Sequence, residues 1–147
     1  MESSTPSRVL VVAHRTAATP ALLEAVRDRA ARGPCTFTLL VPDSAHGLHR
    51  ITDPEDHHDG EAAAVLARAL PLLQEVVGAP VEGMIGHAEP LDAVQDAVNL
   101  HGFDEIIIST LPARLSRWLK LDLPHKLEGL RLPVTTVTAK DEAAVTA

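Results

Sequence analysis

Tyrosine is absent from this chain, and aromatic residues make up only 2% of it. Stacking platforms for single-stranded nucleic acid need several exposed rings, so that class of function is excluded. Positive charge is scarce as well. Thirteen Lys and Arg stand against 20 Asp and Glu, a formal charge of −7, the wrong sign for a general binder of phosphate backbones. Cysteine occurs once, at Cys35, which leaves no internal disulfide and points to a reducing, cytoplasmic compartment. Long apolar runs are missing too: the run from Val9 is about five residues, against roughly 20 for a membrane span. The polar opening MESSTPSR is unlike a secretory signal, and no membrane partner is expected.

What is present is an aliphatic globular chain. Its 147 residues are 46% hydrophobic, enough for one domain with a real core. Residues 1–7 and 140–147 read as flexible tails around an α/β domain spanning 8–139. Val9–Ala13 (VLVVA), Thr36–Val41 (TFTLLV), Val81–Gly86, Asp104–Ser109 and Pro133–Thr138 (PVTTVT) read as strands. Continuous β-branched runs of this kind suit strands covered on both faces. Gly83 and Gly86 are expected to weaken the third of them.

Helices fall between the strands. Thr19-Pro20 starts the first, with Thr as the cap and Leu22, Leu23, Val26 and Ala30 on one face. From Glu61 a stripe runs through Ala62, Val65, Leu66, Ala69, Leu70, Leu73, Val76 and Val77, interrupted by Pro71, which is expected to kink or split the helix. Pro90–Leu100 forms another, with Leu91, Val94, Ala97 and Val98 inward. A short last helix starts at Asp122 and Pro124, with Leu127 and Leu130 buried. Alternating strands and helices predict a single-domain, open, mainly parallel five-stranded sheet with helices on both faces, a Rossmann-like α/β fold. Ligands of such sheets bind beyond the carboxyl ends of the strands.

Two segments stand out in charge. Residues 42–60 form a long acidic loop without periodicity, carrying His46, His49, His57 and His58. Clustered His and carboxylates suit zinc or nickel, but no fixed ligand spacing is present, so the loop reads as solvated and no metal is expected. The stretch IIISTLPARLSRWLK (106–120) is its opposite. Residues 114–131 hold five of the 13 Lys and Arg and two acids, a local +3 against −10 elsewhere. Ser109, Thr110, Arg114, Ser116 and Arg117 suit an anion, through guanidinium forks and hydroxyl donors. A solvated surface helix fits the same residues equally well, with Leu115, Trp118 and Leu119 at core spacing anchoring it. His14 and Arg15, beyond the first strand, are ligand-binding candidates. His14 also suits a hydrogen-bonding loop residue. No Ser/His/Asp order, paired-carboxylate motif, P-loop or G-x-G-x-x-G occurs, so no catalytic residue is assigned. Cys35, at a strand start, reads as a buried structural thiol.

In order and spacing, residues 8–138 resemble the universal stress protein family. "RVLVVAHRT" is similar to that family's first strand and turn, "TFTLLVP" to its second strand, and "VEGMIGHAEPLDAVQDAV" to its third strand and helix. "FDEIIIST" and "LPVTTVTA" are similar to its fourth and fifth strands. The resemblance implies a stress-response or regulatory protein with a nucleotide pocket beyond strands 1 and 4, and a homodimer joined along strand 5 (Val134, Thr136, Thr138). ATP-binding members carry an Asp where His14 stands, and a loop G-x2-G-x9-G-[ST] whose amides approach the phosphates. Here Ser109 and Pro112 replace the first two glycines, the segment is about two residues shorter, and Asp122 falls near the last glycine. Proline removes a donor amide, and Asp122 is expected to cap the next helix with its carboxylate. Gly86 and Val41 match the family's pocket, Val41 through its backbone. The resemblance therefore implies a divergent member in which ATP, AMP or another phosphate-bearing ligand is held by a modified, non-catalytic pocket. Two alternatives stay open: a dimeric interaction module with a vestigial pocket, and a nucleotide-hydrolysing enzyme of the same fold group.

Overall fold

The computed structural model describes residues 6–42, 60–86, 89–112 and 115–139. Five strands, β1 (Ser7–Val12), β2 (Cys35–Pro42), β3 (Glu82–Gly86), β4 (Glu105–Thr110) and β5 (Val134–Thr138), lie in the order β3-β2-β1-β4-β5. Every pairing is parallel. Helices α1 (Pro20–Ala31), α2 (Gly60–Val77), α3 (Pro90–His101), α4 (Arg117–Lys120) and α5 (Leu123–Glu128) connect them. The chain runs outward from β1 to β3 and then returns to β4 on the other side of β1, so the order reverses between β1 and β4.

Successive residues of a strand point to opposite faces, and β1 shows the result. Val9 and Val11 pack with Leu22 and Val26 of α1 and with Val65, Ala69 and Leu73 of α2. Leu10 and Val12 pack instead with Val94 and Ala97 of α3 and Leu127 of α5. Two apolar layers thus sandwich the sheet, which is why β1 and β4 are continuous apolar runs rather than alternating ones. Each fully buried Leu or Val contributes about 1.5–3 kcal/mol of transfer free energy.

Several local expectations are corrected. Pro71 does not split α2, which runs without interruption from Gly60 to Val77. The acceptor left without its N–H lies one turn back at Ala67, and Ala67 and Pro71 are both exposed, so water reaches the freed carbonyl. Thr19 does occupy the N-cap of α1, but its side chain makes no cap bond; its hydroxyl donates to the Thr16 carbonyl at 2.9 Å. The glycines of β3 are not merely weak points. A Cβ on Gly83 would lie 2.7 Å from Leu66 Cδ2, and one on Gly86 would lie 2.8 Å from both Ala93 Cβ and Leu40 Cδ1. They let α2 and α3 sit directly on the edge strand.

The amino ends of the two central strands are fastened together. Asp104 accepts a bond from the Arg8 amide through its carboxylate and donates its own amide to the Arg8 carbonyl, both at 2.8 Å. The Arg8 guanidinium lies over the Phe103 ring, and Arg29 of α1 forms an ion pair with Glu105. The carboxyl ends of these strands border the cavity described next.

Candidate ligand-binding site

β1 and β4 end side by side, with Val12 in register with Ile108. The residues that follow each strand diverge, because the two connections leave for opposite faces of the sheet. A cavity of ≈ 590 Å³ lies between them, within the size range of small-molecule sites and at the topological switch point.

The turn after β1 supplies His14, Arg15 and Thr16 to its wall. Amide bonds from Ala17 to the His14 carbonyl and from Thr19 to the Thr16 carbonyl, each 3.2 Å, shape that turn. It buries Thr16 (2% exposed), leaves His14 half-buried and exposes Arg15. From the other side, β4 ends in Ser109 and Thr110, 1% and 2% exposed. The Thr16 and Ser109 hydroxyls meet at 2.6 Å across the switch point. One of the pair spends its hydrogen on the other, so a single O–H remains to donate into the cavity. The Thr110 carbonyl accepts from the Ala139 amide at 2.8 Å, and its hydroxyl faces Thr138 at a long 3.5 Å.

The third wall is the segment after β4. Ser116, 3% exposed, caps α4 by accepting the Leu119 amide at 3.0 Å, and its own O–H still has a hydrogen to give. Exposed Arg117 follows at the first position of α4. Leu111, Leu115, Trp118 and Leu121 make this wall apolar, and Pro42, Glu89 and Pro90 close the remaining side. Trp118 packs on the core as its spacing predicts, and Leu119 is half-buried. Leu115 does not serve as an anchor: it is 50% exposed at the cavity.

Of the residues named from the sequence, His14, Arg15, Ser109, Thr110, Ser116 and Arg117 are brought together around one space. Arg114 lies outside the described residues, as do the four histidines of the acidic loop. Val41 is fully buried in the core, and the cavity is lined by its neighbour Pro42 instead. Gly86 closes β3 against Ala93 and Leu40 and is not part of the lining. Thr16, Glu89 and Trp118 belong to the wall without having been singled out as ligand residues. For Thr16 the signal was its place, four residues beyond a strand that ends at the switch point.

Asp122 departs from expectation. It occupies the N-cap of α5 in the left-handed region (φ 59°, ψ 37°) that favours glycine, and makes no side-chain cap bond. Its carboxylate meets His125 Nδ1 at 3.2 Å on the surface, and it is not among the lining residues. Among the described residues no group of three or more His, Cys, Asp and Glu is placed to hold a metal ion. No described helix is long and apolar enough to cross a membrane.

No family model matches the chain, and no curated protein matches its sequence. Solved structures do match its fold. A universal stress protein from Archaeoglobus fulgidus superposes with a TM-score of 0.64 at 16% identity, covering 89% of this chain and 93% of its own. The universal stress protein UspA from Lactobacillus plantarum gives 0.60 at 16% identity, over 93% and 100%. A universal stress protein in complex with cAMP gives 0.57 at 15% identity, over 92% and 100%. With so little identity the likeness is one of architecture: this chain has the fold of the universal stress proteins, as its strand order and spacing foretold.

Proposed function

We propose that this chain is a universal stress protein-like regulatory protein whose cavity beyond β1 and β4 binds a small anion without transforming it. The observation that carries the reading is the convergence of buried hydroxyls on one space. Thr16 and Ser109 from two strand ends, and Ser116 from the α4 cap, surround it, with the guanidiniums of Arg15 and Arg117 at its edge. Buried hydroxyls and Arg together make short, charge-assisted bonds to phosphate or carboxylate oxygens. The cAMP complex of a protein with the same fold supports a nucleotide as one member of the ligand panel.

Isothermal calorimetry and thermal shift with ATP, ADP, AMP, cAMP, pyrophosphate and organic carboxylates test this reading. Stabilisation by at least one anion that is lost in Arg117→Ala supports it; silence across the whole panel refutes it. Release of ADP or AMP from ATP during the same incubations would favour the enzyme alternative.

A second reading concerns assembly, and it is compatible with the first. Among the described residues β5 is an edge strand, paired with β4 alone, and Thr135, Thr136 and Thr138 on it are exposed. An edge of unpaired amides and carbonyls invites another strand, which supports a homodimer through Val134, Thr136 and Thr138. Sedimentation equilibrium tests it: a dimer that becomes monomeric in Thr136→Pro is expected, and a monomeric wild type refutes it. The same reading places the protein in the cytoplasm, which fractionation of cells checks.

A further inference from the structure

The cavity has two unlike halves, and their chemistry restricts the anion further. We propose that its preferred ligand is a carboxylate carried on an apolar body, such as a medium-chain or arylalkyl acid, rather than a nucleoside triphosphate. The inference rests on the reading that this cavity binds an anion.

Charge is the first argument. Among the described lining residues, the guanidiniums of Arg15 and Arg117 stand against the carboxylate of Glu89, a net of one positive charge from Arg and Glu side chains. A single carboxylate matches that balance. A triphosphate, with three to four negative charges, needs metal ions, several cations or a ring of backbone amides to offset it.

The amides are the second argument. In the segment after β4, where a phosphate cradle would lie, Pro112 has no N–H. Five described amides beyond it are committed: Leu115 donates to the Pro112 carbonyl, Leu119 to Ser116 Oγ, Lys120 to the Ser116 carbonyl, Leu121 to the Arg117 carbonyl and Asp122 to the Leu119 carbonyl. Buried side-chain hydroxyls line the space as well. The Thr16–Ser109 pair retains one donor hydrogen and Ser116 another, all three residues being 1–3% exposed. Two buried donors match the two oxygens of one carboxylate, and burial makes an unsatisfied donor costly.

The third argument is the opposite wall. Leu111, Leu115, Trp118 and Leu121 face the space with Pro42 and Pro90, and Leu115 and Leu121 are 50% and 43% exposed. Apolar side chains held open to water at a cavity are stabilised by an apolar occupant. Phosphate chains offer them nothing, whereas an alkyl or aryl tail covers them.

Calorimetry with hexanoate, octanoate, decanoate and 3-phenylpropionate, alongside 1-decanol, pyrophosphate and ATP, tests the proposal on the full chain. Affinity is expected to tighten about threefold to fourfold per added methylene until the wall is covered. Replacing decanoate by decanol should weaken binding at least about tenfold, as should Arg117→Ala. Leu115→Gln, at an exposed position that spares the core, should flatten the chain-length dependence. ATP or pyrophosphate binding more tightly than every carboxylate would overturn this inference and leave the anion-site reading intact. A chain-length series equal for acids and alcohols would also overturn it, as would an unaltered series in Leu115→Gln. No binding by any anion overturns both.

Discussion

Replacing Gly86 by Ala adds one methyl group, and the consequence can be worked from the packing around it. That carbon would stand 2.8 Å from Ala93 Cβ and from Leu40 Cδ1, nearly an ångström inside ordinary contact. Ala93 has no rotamer with which to move away, and it sits on α3 at 2% exposure. Leu40 is fully buried and can turn only into occupied space. Overpacking of this kind costs about 1–3 kcal/mol, while removal of glycine's unfolded-state freedom returns about 0.4–1 kcal/mol. From the middle of each range the net loss is about 1.3 kcal/mol, or a fall in Tm of about 3–5 °C for a chain of this size. Gly83→Ala is the matched control. Its added carbon meets Leu66 Cδ2 and Leu70 Cδ1 at 2.7 and 2.9 Å, the far ends of half-buried side chains that can swing aside. It should lie within about 1 kcal/mol of wild type. Thermal and urea unfolding followed by circular dichroism measure both. If Gly86→Ala proves neutral or stabilising, or if Gly83→Ala is the more damaging of the two, the packing account of β3 is wrong.

Other perturbations are equally direct. Thr16→Val and Ser109→Ala should each destabilise by about 1–3 kcal/mol, and the double variant by less than their sum, as a double-mutant cycle by urea unfolding would record; strict additivity would deny the hydroxyl pair. Glu105→Gln strips Arg29 of its ionic partner, with side-chain exposures of 12% and 22%, and should cost about 1–3 kcal/mol. An unchanged urea midpoint in that variant would show the pair to be idle. Burial holds the Cys35 thiol above its ordinary 9.0, with Arg29 pulling it down, Glu105 pushing it up and Arg32 pulling it down. The folded chain thus keeps its proton to higher pH than the unfolded one, so the associated stability is whole below about pH 9 and is lost as pH rises through the folded value. Thiolate absorbance should rise later than in the denatured chain, and Cys35→Ala should lack this alkaline component; a midpoint at or below the ordinary value would contradict the burial argument.

Where the sequence was readable, physics acts locally and repeatedly. The apolar runs of β1 and β4 have one structural use, a strand covered on both faces, and the stripe from Ala62 to Val77 has one, a helix laid across a sheet. Pro71 leaves α2 unsplit, and what its missing N–H costs depends on which side of the helix it occupies, which only tertiary packing decides. Leu115 misled for a related reason: core spacing in a segment too short to form a long helix does not determine which way a side chain turns. Half of the site was legible because strand ends are legible, which is how His14, Ser109 and Thr110 were found. Thr16 came into play through a partner 93 positions away, and no local pattern announces such a pairing. Gly86 and Val41 matched the family's pattern in sequence; in the fold Gly86 lies against Ala93 and Leu40, and Val41 is buried.

The strand order carries a consequence for the order of events in folding. β1, β2 and β3 can pair as soon as the first 86 residues exist, but the other side of β1 is completed only by β4, with Val9 opposite Glu105. Until then, the most apolar strand of the amino-terminal half presents an open edge to whatever strand is near. Pairings of such long sequence separation close slowly, and open apolar edges are where chains associate wrongly. The clasp of Arg8 with Asp104 sits where that late closure begins, so it registers the two halves of the sheet as the second half arrives.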